Sequence, residues 1–224
     1  LQFGTLPVYL DLAPRESLLE ALAAHEHLDS VALEGYMTRH ASGLNLLAAV
    51  TERMALPWEI PGEHVGRLID VAVQSYDHVI VDLPRQMDPV TAAVLTRADR
   101  VLVVMQQELT HLRDAKRLAR ILTEELSVPR SHLHVVVNRH EPGGGGVRAQ
   151  DIREALEPES MAVVPSDYQR VSEAVNLGAP IYDHARSAPI TQALVELARG
   201  LGGASQRQEE RGRLQSAVAR FFGH

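Results

Sequence analysis

The sequence predicts an α/β domain built on a doubly wound, mostly parallel sheet. Three observations carry that expectation. Short β-branched runs alternate with amphipathic helical stretches along most of the chain, the pattern of successive strand–helix–strand units. The three clearest runs, 77–83, 100–105 and 132–138, are apolar without a polar alternation, as in strands buried on both faces. A length of 224 residues with 45% hydrophobic content suits one domain with a large core and a tail.

Taken in order, residues 16–24 carry apolar positions at three- and four-residue spacing and predict a helix. Residues 44–50, entered through Ser42-Gly43, are a strand candidate, although their alanines suit a helix as well. A helix over 62–75 follows Pro61, and the run Asp77-His78-Val79-Ile80-Val81-Asp82-Leu83 predicts the next strand. Helix 89–96, opened by Pro89, leads to strand 100–105. Helix 112–126 leads to strand 132–138, and helix 150–156 to a shorter strand over 161–164. Helices 168–176 and 188–201 close a domain spanning 1–201. The Gly202-Gly203-Ala204-Ser205 stretch predicts a flexible linker over 202–208. The last segment, 209–224, holds an amphipathic helix over 209–222, with Leu214, Ala217, Val218 and Phe221 on one stripe.

A net charge of −7 argues against binding nucleic acid by phosphate neutralisation, so no nucleic-acid partner is expected. With no cysteine there is no disulfide framework and no thiolate chemistry. No apolar run approaches the roughly 20 residues of a spanning helix, and the first residues lack a signal-peptide pattern. A cytoplasmic protein is expected.

Asp82 ends an apolar run and precedes Leu83-Pro84-Arg85, where the chain must leave a sheet. A carboxylate at a strand tip is the Walker B arrangement, able to hold magnesium through a water; a turn or helix-capping aspartate looks the same. Asn138 follows another strand, and its amide offers a donor and an acceptor to a base, or simply caps a loop. Gly143 to Gly146 lie between a strand and a helix but lack the Lys-Ser/Thr pair of a phosphate cradle, so they read as a surface loop. His25/His27 and His132/His134 are close pairs without a third ligand of matching spacing. Ser166, Asp167 and His184 have no G-x-S-x-G elbow, which sets a hydrolase triad aside.

In their order along the chain, Asp82-Leu83-Pro84-Arg85, Asn138-Arg139, Pro165-Ser166-Asp167-Tyr168 and Asn176-Leu177-Gly178-Ala179-Pro180 resemble the second half of the MinD/ParA ATPases, a branch of the P-loop NTPases. Asp-Leu-Pro-Arg, with Leu1-Gln2-Phe3-Gly4 and Met37-Thr38-Arg39-His40-Ala41-Ser42-Gly43-Leu44, is more similar to the TadZ/CpaE branch of Flp, or tight-adherence, pilus assembly. The resemblance implies ATP and Mg2+ as cofactors. It places Asp82 on hydrated magnesium and assigns Asn138, Arg139, Pro165, Ser166 and Asp167 to the base side. It also implies that the first strand, the Walker A loop and the switch aspartate fall upstream of Leu1, so no catalytic residue is expected in this chain.

By the same resemblance, the partners are a second copy in a homodimer and the pilus or secretion assembly proteins. The protein would act at the inner face of the membrane or the cell pole, with 209–222 in peripheral membrane contact or packed on a protein. The alternative is a nonhydrolysing scaffold with a vestigial nucleotide site, since that branch includes members with degenerate phosphate loops.

Overall fold

The computed structural model describes residues 4–49, 55–143 and 146–202. Its first part is mainly helical. Short α1 (Leu6–Tyr9) precedes α2 (Leu18–Ala23), which opens with a capping box: Ser17 Oγ accepts from the Leu19 amide at 3.2 Å, and the Glu20 carboxylate accepts from the Ser17 amide at 2.8 Å. Asp29 caps α3 (Ser30–Tyr36) by accepting from the Ala32 amide. A small antiparallel hairpin then pairs β1 (Thr38–Arg39) with β2 (Asn45–Leu46), its turn using Gly43 at φ 91°. The long helix α4 (Gly62–Ser75) packs over α2 and α3 and against α5 (Pro89–Leu95), which Asp88 caps. Leu28, Leu33, Val65, Leu68, Val71 and Val94 form the core of this layer.

The second part is a parallel sheet of β3 (Val101–Met105), β4 (Leu133–His140) and β5 (Ser160–Pro165), in that spatial order. Helix α6 (Leu109–Arg120), ended by a π-helical turn at Ile121–Glu125, and α7 (Ala149–Leu156) cover one face. There Val103, Met105, Ala115, Leu122, Val135 and Ile152 form a second core. After α8 (Tyr168–Asn176) and α9 (Ile181–His184), α10 (Pro189–Gly200) returns over the other face, where Ala188 and Ile190 cover Val136 and Val164. β4 is central and buried from Leu133 to Val137. Helices on both faces of parallel strands make this the expected doubly wound architecture.

Helices 62–75 and 168–176 match their sequence expectation residue for residue. The run 77–83 does not: among the described residues no strand pairs with it, and Ile80 is 90% exposed. Strand propensity becomes a strand only where a neighbour supplies ladder partners, so Val79, Ile80 and Val81 remain outside the sheet. The strand expected over 44–50 shrinks to Asn45–Leu46, and the helix expected over 112–126 starts at Leu109. Nothing in the periodicity marked α3, α9 or the β1–β2 hairpin. Beyond Gly202, the rest of the linker and the helix over 209–222 lie outside the described residues. Among the described residues no helix is long and apolar enough to cross a membrane.

Candidate functional site

The C-terminal ends of parallel strands are where doubly wound folds place ligands, and three segments meet there. β3 runs into Gln106-Gln107, β4 ends at Asn138-Arg139-His140, and β5 ends at Pro165-Ser166-Asp167. Val137 pairs with Val163, but the next registered pair is His140 with Pro165, so β4 carries one extra residue and bulges. Within the bulge Arg139 takes φ 51°, a left-handed conformation uncommon for residues other than glycine. Asn138 is half-buried, and its Oδ1 accepts from the Arg139 amide at 2.9 Å. The Ser166 amide donates to the His140 carbonyl at 3.0 Å and ties the two strand ends together.

Asp167 caps α8. It accepts from the Arg170 amide at 3.2 Å and from the Arg170 guanidinium at 2.7 Å. That guanidinium contact holds the Asp167 carboxyl below the usual carboxylate range. Capping α8 is what this carboxylate does in the structure, a role the sequence reading did not weigh for it. Pro165 and Ser166 bring the chain from the strand into that cap, with Ser166 exposed.

Gln107 is a member of the site that the sequence did not reveal. Its Oε1 accepts from the Glu141 amide at 3.1 Å, and its carbonyl accepts from the Val147 amide at 3.0 Å. The approach is so close that a Cβ on Gly146 would lie 2.0 Å from the Gln107 carbonyl oxygen. Gly146 is thus required by backbone proximity, not by a bound phosphate. A polar pair directly after a buried strand was the one available signal for Gln107.

Asp82 is exposed, three residues before Arg85, whose guanidinium donates to the carboxylate of Asp114 on α6. Leu83 packs against both apolar cores and fixes the other side of the loop. A single exposed carboxylate fits one water-mediated contact to magnesium, a hard cation that takes oxygen donors. Among the described residues no cluster of three or more His, Asp or Glu could hold a metal. The only lysine in the sequence, Lys116, is on the exposed side of α6.

No family model matches the chain. It is 26% identical over 171 residues to the septum site-determining protein MinD of Thermotoga maritima, covering 75% of this chain and 62% of that protein, less than two thirds of its length. It is 26% identical over 211 residues to the chromosome-partitioning ATPase Soj of Thermus thermophilus, covering 88% and 83%. Among solved structures, a ParA family ATPase from Chlorobium tepidum superposes with a TM-score of 0.78 at 26% identity, covering 88% of this chain and 82% of that one. Sequence relatives and structural neighbours both support the MinD/ParA ATPase superfamily. The MinD/ParA likeness extends to the MinC:MinD complex of Aquifex aeolicus, with a TM-score of 0.74 at 25% identity over 90% of this chain and 81% of the other. MinD of Pyrococcus horikoshii, solved with Mg-ADP, shares the MinD/ParA fold at a TM-score of 0.72 and 15% identity, covering 92% and 81%.

Proposed function

We propose that the chain belongs to an ATP-binding positioning protein of TadZ/CpaE type that acts in the assembly or placement of a Flp pilus machine. The observation that carries this reading is the meeting of Asn138-Arg139 and Pro165-Ser166 at the sheet's C-terminal edge, in a chain whose relatives include MinD and Soj. The tetrapeptide Asp82-Leu83-Pro84-Arg85 supports the TadZ/CpaE subtype.

In this reading Asp82 holds hydrated magnesium, which neutralises charge on the nucleotide's terminal phosphates. Asn138 and Arg139 face the base, Pro165 and Ser166 line its other side, and Asp167 shapes that loop by capping α8. Asn138 Oδ1 accepts from the Arg139 amide and keeps a second lone pair, so the side chain would still offer adenine an acceptor and a donor. The phosphate-contacting groups come from outside the strand-end residues described above, none of which is a lysine. ATP held between two copies and then hydrolysed would time the binding of pilus partners at the cytoplasmic face of the membrane. A nonhydrolysing scaffold that keeps the fold and a protein-binding face is the second reading.

Calorimetric titration of ATP with magnesium, into this chain and into a version extended upstream with the segment that the resemblance implies, tests the proposal. Magnesium-dependent binding that disappears in Asp82→Ala supports the ATP reading. Folded proteins that bind no nucleotide would transfer the function to the scaffold.

A further inference from the structure

Helix α6 has two unlike faces. Leu112, Ala115, Leu118 and Ala119 pack into the core against the sheet. On the opposite side Leu109, Arg113, Lys116, Arg117 and Arg120 are all exposed, and at 3.6 residues per turn they fall within an arc of about 100°. Neighbours along this stripe are three or four residues apart, so each of its four cations faces another, an arrangement that destabilises a helix. Glu124 relieves Arg120 at 3.5 Å. Among the described residues no ion pair reaches Arg113, Lys116 or Arg117, and Asp114 on the flank is engaged by Arg85. In a chain of net charge −7, this is a concentrated basic surface with little to neutralise it.

We propose that the outer face of α6 docks an acidic segment of a partner protein. Carboxylates of that segment pair with Arg113, Lys116 and Arg117, and an apolar side chain lies on Leu109, which is 63% exposed. The forked N–H donors of the two guanidinium groups match carboxylate geometry. Three features favour a polypeptide over nucleic acid or a lipid surface. The cationic stretch from Arg113 to Arg120 is only about 10 Å long. Exposed acids bracket it, Glu108 before and Glu124 and Glu125 after, and they repel a polyanion that continues past the stripe. The leucine at its end has no counterpart in a phosphate backbone. None of these residues belongs to the strand-end site, so the proposal stands or falls apart from nucleotide binding.

The test is a titration of fluorescein-labelled poly-L-glutamate with this chain, followed by fluorescence anisotropy. Binding that weakens as salt rises is expected. It should weaken about tenfold when Arg113→Glu, Lys116→Glu and Arg117→Glu are combined, at unchanged Tm. A second measurement needs no variant. Lys116 is the only lysine of the chain, so carbodiimide coupling to poly-L-glutamate should place the new amide bond at Lys116, located by peptide mapping. Absent binding, equal binding by parent and variant, or coupling confined to the terminal amine overturns the proposal. Tighter binding of duplex DNA or phosphatidylserine vesicles, lost in the same variant, overturns it as well and gives the face to phosphate groups.

Discussion

Gln107 grips Val147 at both polar groups of its backbone: the Gln107 carbonyl accepts from the Val147 amide at 3.0 Å, and Gln107 Nε2 donates to the Val147 carbonyl at 3.3 Å. With Oε1 taking the Glu141 amide, one residue holds both ends of the connection between β4 and α7. Gln107→Ala removes both side-chain bonds while the backbone bond stays. The expected loss is about 1–2 kcal/mol, read as a lower urea midpoint with an unchanged m-value.

Gly146 answers to the same contact. Gly146→Ala places a methyl group against the Gln107 carbonyl and forces the two segments apart. A destabilisation of about 1–3 kcal/mol is expected, measurable by denaturation without any nucleotide. Stability equal to the parent protein would mean that this approach is not needed.

His134 gives the fold a pH dependence. It sits on β4 with Nδ1 2.6 Å from Ser160 Oγ and with Nε2 buried and without a hydrogen-bond partner among the described residues. Burial, reinforced by Arg100, lowers its pKa from the ordinary 6.5. The unfolded chain therefore takes up the proton more readily than the folded one. The stabilisation is complete above about pH 6.5 and is lost progressively as pH falls from there towards the lower folded value. Urea midpoints measured across that window should fall with pH, and His134→Gln should flatten the slope.

Asp167→Asn separates capping from nucleotide contact. Asparagine caps helices about as well as aspartate, so Tm should stay close to that of the parent. If the carboxylate serves α8, ATP affinity should remain essentially unchanged, since its bonds to Arg170 are not contacts with the nucleotide. A large loss of affinity at unchanged Tm would show that Asp167 touches the nucleotide directly.

Periodicity made α4, α8 and the three parallel strands legible, because each contains its own pattern and its own stop signal. It misplaced 77–83, since a strand is a property of two segments and the run of Val79, Ile80 and Val81 describes only one. Asn138 and Pro165 were visible as polar or rigid residues directly after apolar runs. Gln107 was not, because its partners are 34 and 40 residues away and the contact exists only once β3 and β4 are paired. Asp167 was assigned to the base side by resemblance alone, and its capping bond to the Arg170 amide was not foreseen, although a helix-start aspartate commonly serves as a cap.

The outer edge of β3, if left uncovered, would bear on how the chain behaves in solution. Among the described residues no strand covers that edge, and Val104 beside it is 61% exposed, as is most of Ile80 in the unpaired run. Open amides and carbonyls flanked by β-branched side chains template further strands. A net charge of −7 opposes that self-association through mutual repulsion, a protection that weakens as salt screens it. Light scattering that grows with protein concentration, and grows faster at high ionic strength, is the behaviour such an edge produces.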